Sequence, residues 1–82
     1  MSKGTVKMAG DEHHALRIVR IMKDAGTAAG EIMMFGAIEA VWLKPDNADH
    51  DGLLAGLQYA GEQGWVEDAG PAIRLTAKGA MI

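Results

Sequence analysis

Cysteine is absent from this 82-residue chain, which excludes disulfides, thiolate metal sites and cysteine nucleophiles. That absence is compatible with a reducing compartment. Serine occurs only at Ser2 and no glycine-rich phosphate loop is present, so the usual nucleophile and nucleotide-cradling sites are missing. Aromatic residues make up 5% of the chain. The core must therefore be built from Leu, Ile, Val, Met and Ala, with Trp42 and Trp65 as its largest pieces. Nowhere is an apolar run long enough for a transmembrane helix, and Met1–Lys7 lacks the apolar stretch of a signal peptide. These absences predict a cytoplasmic chain that is not an enzyme and carries no cofactor, since a chain this short seldom encloses a substrate pocket.

What is present is an ordinary soluble composition: 49% hydrophobic and 23% charged, with six methionines. The length predicts one domain with a narrow stability margin, for which self-association as a homodimer is a reasonable expectation. Net charge is −3, which argues against a protein whose main work is gripping phosphates.

Residues 1–10, with two glycines and two lysines, read as a flexible N-terminal arm or a marginal edge strand. Helical patterning starts at Asp11, a good N-cap, and Ala15, Ile18, Val19 and Met22 then recur at i, i+3, i+4, i+7. The first helix is expected over residues 11–25, ending at Gly26. Thr27 can cap a second helix that carries Ile32, Phe35, Ile38, Val41 and Trp42 at helical spacing and stops before Pro45. Gly36 inside that stripe reads as the close approach of another helix. A third helix follows the Asp46–Asp51 run of capping residues, with Leu53, Leu54, Leu57 and Ala60 on its buried side and Gly64 as its C′ residue. Trp65–Leu75 then reads as a hairpin turning at Gly70-Pro71, with Thr76 capping a last turn over Ala77-Lys78-Gly79.

The fold expected is mainly α with a small β-hairpin, an α+β domain over residues 11–82. Gly64-Trp65-Val66-Glu67-Asp68, a turn, and Ile73-Arg74-Leu75-Thr76-Ala77-Lys78-Gly79 together resemble the wing of bacterial winged helix-turn-helix regulators. In that superfamily a "Leu-Thr-x-Lys-Gly" phrase closes the wing. The close likeness covers residues 62–79; the remainder agrees in the order helix, helix, helix, hairpin. The resemblance implies a three-helix winged helix-turn-helix domain and a role in DNA binding or transcription regulation, with the third helix in the major groove.

The charge layout qualifies that implication. From Asp46 to Gly64 there is no Lys or Arg, only Asp46, Asp49, Asp51 and Glu62, and carboxylates facing phosphates release no counterions. Asn47, Gln58 and Tyr59 are the candidate neutral base readers. Lys3 and Lys7 on the arm, Arg17 and Arg20 on the first helix, and Arg74 and Lys78 at the wing are the candidate backbone contacts. Two functions follow: a nucleic-acid-binding accessory factor, or a protein-interaction module that does not bind DNA. For the second, Asp49, Asp51 and Glu62 are candidate partner contacts. Met33 joins them, because Ile32-Met33-Met34-Phe35 is too long an apolar run for one helix face and methionine suits adaptable surfaces.

Two metal patterns are set aside. Asn47-x-Asp49-x-Asp51-Gly52 resembles the front of an EF-hand loop, but Asn47 and Gln58 stand where Asp and a bidentate Glu belong. His13 and His14 are adjacent, and neighbours on a helix point about 100° apart. No metal is expected.

Overall fold

The computed structural model describes the backbone of residues 2–44 and 50–82, and the side chains of residues 12–44 and 50–82. In chain order the elements are α1 (Ser2–Asp24), β1 (Ile32–Met34), α2 (Phe35–Trp42), α3 (His50–Glu62), β2 (Val66–Ala69), β3 (Ala72–Leu75) and a single turn, α4 (Ala77–Ala80). The three strands form one antiparallel sheet in the order β1-β3-β2. This is an α+β arrangement of four helices and a small sheet. No helix among the described residues is long and apolar enough to cross a membrane.

The periodic apolar face of α1 is buried as its spacing requires: Ala15, Ile18, Val19 and Met22 are all essentially inaccessible. They meet Ile38 and Trp42 of α2, Leu53 and Ala60 of α3, and Trp65, Val66 and Leu75 of the hairpin in one cluster. Burying each Leu, Ile, Val or Met side chain contributes roughly 1.5–3 kcal/mol. At its start α1 runs through the segment expected as an arm, so Asp11 lies inside the helix and not at its cap. Gly4 and Gly10 each cost about 1 kcal/mol in a helix interior, too little to stop it without a proline.

Where α1 meets α3 the backbones come very close. A Cβ built on Gly56 would lie 2.8 Å from both the carbonyl carbon and Cβ of His14. The contact expected at Gly36 is therefore found at Gly56; Gly36 is exposed, with nothing within 4 Å of its Cβ position. Leu53 and Ala60 face the core from α3, whereas Leu54, expected beside them, is 48% exposed. Residues His50–Glu62 are helical, so the segment from Asp51 to Gln58 forms no calcium-type loop.

The second helix differs most from expectation. Helical spacing pointed to an element running from Thr27, but Ile32–Met34 is a strand and only Phe35–Trp42 is helical. Pairing with the hairpin explains it. Ile32, Met33 and Met34 stand opposite Arg74, Ile73 and Ala72, and the ladder is extended by Gly30 N–H to the Leu75 carbonyl (2.7 Å) and Leu75 N–H to the Glu31 carbonyl (2.9 Å). Strand alternation then turns Met33 onto the core and leaves Ile32 and Met34 about half exposed. The α2 N-terminus has no side-chain cap at Met34. Instead its first amide, that of Phe35, donates to the carbonyl of Pro71 in the hairpin turn at 3.0 Å.

The end of α3 matches the sequence reading closely. Gly64 has φ +77°; its amide donates to the Gly61 carbonyl, and the amide of Trp65 to the Ala60 carbonyl. This is the paired Schellman closure that a left-handed C′ glycine permits. The hairpin that follows turns through two residues, with Gly70 at φ +73°, the sign that tight hairpin turns demand.

Thr76 and Gly79 lock this hairpin to α3. The Thr76 hydroxyl lies 2.5 Å from the Gly64 carbonyl and 3.0 Å from that of Trp65, while its oxygen accepts from Gly79 N–H at 3.0 Å. Thr76 N–H also donates to the Trp65 carbonyl, at 3.1 Å. A Cβ on Gly79 would fall 2.1 Å from that same carbonyl oxygen. The phrase Leu75-Thr76-x-Lys78-Gly79 thus has a local mechanical reason: a buried leucine, a threonine that caps and ties, and a glycine where no side chain fits.

Candidate functional site

Three elements frame one accessible surface. The outward stripe of α3 carries Asp51, Leu54, Gln58, Gly61 and Glu62, all exposed and related by helical spacing. Beside it β2 presents exposed Asp68, on the face it shares with Val66, while Glu67 alternates to the other face beside Arg74. Between helix and hairpin lies a groove of 380 Å³, which Phe35 at the start of α2 also lines. Its floor is apolar: Phe35, Leu57 and Ile73 are only partly buried and pack on the core from below. Gln58 and Asp68 supply its polar walls, and Gly61 and Gly70 leave its rim low.

Among the described residues no cation lines this groove. Arg17, a candidate phosphate contact, is already used. Its guanidinium lies 4.2 Å from the centre of the Trp42 ring and donates to the Trp42 carbonyl at 3.1 Å. It therefore stacks on the largest core side chain and bonds a carbonyl at the α2 C-terminus, where a cation is favoured. His14 meets the same ring edge-on, with centroids 5.7 Å apart; His13 is exposed, in keeping with the divergence expected of helical neighbours.

The other Lys and Arg candidates belong to other elements. Arg20 is exposed on α1. On α4, Lys78 is exposed, with Cδ of its stem 3.9 Å from the Cβ position of Gly64. Arg74 is exposed on β3 and lies 3.5 Å from the Glu67 carboxylate, a solvated pair worth about 0–1 kcal/mol. Lys3 and Lys7 belong to α1, their side chains outside the described residues. Asn47 and Asp49 also lie outside them.

Of the neutral readers, Gln58 is exposed and Tyr59 is less so. It is half-buried, packed edge-on against Trp65 with ring centroids 5.7 Å apart. Met33, expected as an exposed partner contact, is likewise half-buried against the core. The strand register turns it inward, and Ile32 and Met34 take the exposed places instead. Asp51 and Glu62 are exposed as expected.

The structure thus gathers Asp51, Gln58 and Glu62 on one stripe and leaves the basic candidates on other elements. It adds Phe35, Leu57, Gly61, Asp68 and Ile73, to none of which the sequence assigns a site role. An exposed glycine late in an amphipathic helix was the available signal for Gly61; nothing local marks the rest. Comparison with family models, with curated proteins and with solved structures found no match for this chain.

Proposed function

We propose that this chain is a winged-helix domain that serves as a protein-interaction module, presenting α3 and the hairpin to a protein partner. Support for the winged helix lies in the order of its parts, three main helices followed directly by a hairpin, and in the physical role each residue of the Leu75–Gly79 phrase plays. One observation carries the choice of partner. The surface that would meet a duplex, the outer stripe of α3 with the adjoining face of β2, exposes Asp51, Glu62 and Asp68 around Leu54 and Gln58, with no Lys or Arg on α3. Against phosphates such a surface pays repulsion and gains no counterion release. Against a protein, an apolar strip with a polar rim is the usual anatomy of an interface.

The second reading is nucleic-acid binding through backbone contacts alone. The exposed positions of Arg20, Arg74 and Lys78 favour it. A chemical-shift titration with random-sequence duplex DNA at low salt separates the two. On the protein-partner reading no amide shifts at any DNA concentration, whereas on the second reading the amides of Arg20, Arg74 and Lys78 shift while those of Asp51, Leu54, Gln58 and Glu62 do not. A saturable, salt-sensitive shift at Arg20, Arg74 and Lys78, or at the α3 amides, refutes the protein-partner reading.

A further inference from the structure

We propose that the groove between α3 and the hairpin seats the apolar row of a cationic, amphipathic segment from a partner protein. This deepens the protein-partner reading above and rests on it. Three features of the groove point to that chemistry. Its floor of Phe35, Leu57 and Ile73 is left only partly covered by the rest of the chain, so apolar side chains from a partner would complete a burial the domain leaves unfinished.

The second feature is shape. Gly61 has nothing within 4 Å of its Cβ position, and neither does Gly70. The two rims are therefore open to a chain lying along them, and the 380 Å³ volume suits a few side chains, not a whole small domain.

Charge is the third. Asp68 lines the groove, and Glu62 stands one helical turn from Gln58 on the same stripe, with Asp51 further along it. The described Lys and Arg side chains belong to segments other than α3 and β2: Arg17 over Trp42, Lys23 on the Ile82 carbonyl at 2.7 Å, Arg74 beside Glu67, Arg20 and Lys44 exposed, and Lys78 on α4 with its stem beside Gly64. A segment with Lys or Arg flanking its apolar row meets complementary potential here, and an acidic one meets repulsion. Nucleic acid is disfavoured by the same charges.

Two synthetic peptides test this on the full chain. One has Leu at i, i+3, i+4, i+7 with Arg between; the other replaces each Arg by Glu. Titrations are followed by amide chemical shifts. The Arg peptide is expected to move the amides of Phe35, Leu57, Gly61, Asp68 and Ile73, and the Glu peptide to bind roughly tenfold or more weakly. Gly61→Leu, which fills the groove without touching the core, and Asp68→Lys should each weaken the Arg peptide by about tenfold, with the melting temperature of the free protein held.

If the Glu peptide binds the groove as tightly as the Arg peptide, the charge inference is overturned while the protein-partner reading stands. Failure of both peptides to shift groove amides overturns the inference, as does retention of binding by both variants. A duplex that shifts these same amides overturns the inference and the underlying reading together.

Discussion

Gly79→Ala gives the sharpest check on how the hairpin is fixed. The added Cβ would sit 2.1 Å from the Trp65 carbonyl oxygen, 2.9 Å from its carbon and 3.0 Å from Leu75 Cδ1. Two of these atoms are backbone, so no side-chain rotation relieves the overlap. Either α4 lifts off or the start of the hairpin moves, at a cost of about 1–3 kcal/mol for overpacking. Movement of the Trp65 carbonyl also loosens the bonds it accepts from the Thr76 amide and hydroxyl, each worth about 1 kcal/mol. The better helix propensity of alanine returns about 1 kcal/mol at most. The net loss is about 2–4 kcal/mol. A domain of this length has roughly 4–12 kcal/mol in total, so the melting temperature should fall by roughly 10–30 °C. Urea unfolding followed by tryptophan fluorescence measures it directly, since Trp65 stands at the point of collision. Gly36→Ala is the matched control: exposed, helical and with open space around its Cβ position, it should leave stability unchanged or raise it by up to about 1 kcal/mol. A Gly79→Ala protein within about 0.5 kcal/mol of the parent, the range of innocuous surface changes, would show that the tail does not seat against Trp65 as described.

Other substitutions probe the remaining joints. Gly56→Ala should cost about 1–3 kcal/mol, because its Cβ would press 2.8 Å from the His14 backbone; chemical denaturation reads this, and no loss would mean that α1 and α3 stand further apart. Thr76→Val keeps the shape but removes the hydroxyl bonds to Gly64, Trp65 and Gly79. A loss of about 1–2 kcal/mol is expected by the same assay, with amide exchange speeding up at Gly79 first. For Arg17→Met the lost stacking on Trp42 should lower stability by about 1 kcal/mol and change Trp42 fluorescence. A parent-like emission spectrum and stability in that variant would refute the assigned contact.

How much of this was legible beforehand depended on whether a residue's role was local. The buried face of α1 could be read because Ala15, Ile18, Val19 and Met22 follow one helical period. Gly64 and the Gly70 turn were legible because backbone sign is set within a few residues. Ile32–Met34 reads as helix from its spacing, since its strand form depends on Ala72–Leu75, some forty positions away, and three apolar residues in a row carry no period of their own. Tyr59 and Met33 read as outward-facing for the same reason, since the neighbours that half-bury them, Trp65 and the strand β3, come later in the chain. Close approach of α1 and α3 at Gly56 was equally silent: a glycine declares that a side chain is missing, not what occupies its place. Charge on α3 could be counted from the sequence, but the groove could not, because its floor is assembled from α2, α3 and β3.

The tie at Thr76 has a consequence for motion. The Trp65 carbonyl receives the Thr76 amide and hydroxyl, and Gly79 rests against it, so the hairpin and the terminal turn cannot swing open separately from the end of α3. They form one opening unit, and the amides of Trp65, Thr76 and Gly79 should exchange with a shared protection factor. Both walls of the groove belong to that unit. A partner entering it would find the walls already at their bound spacing, and little ordering entropy would stand against its affinity.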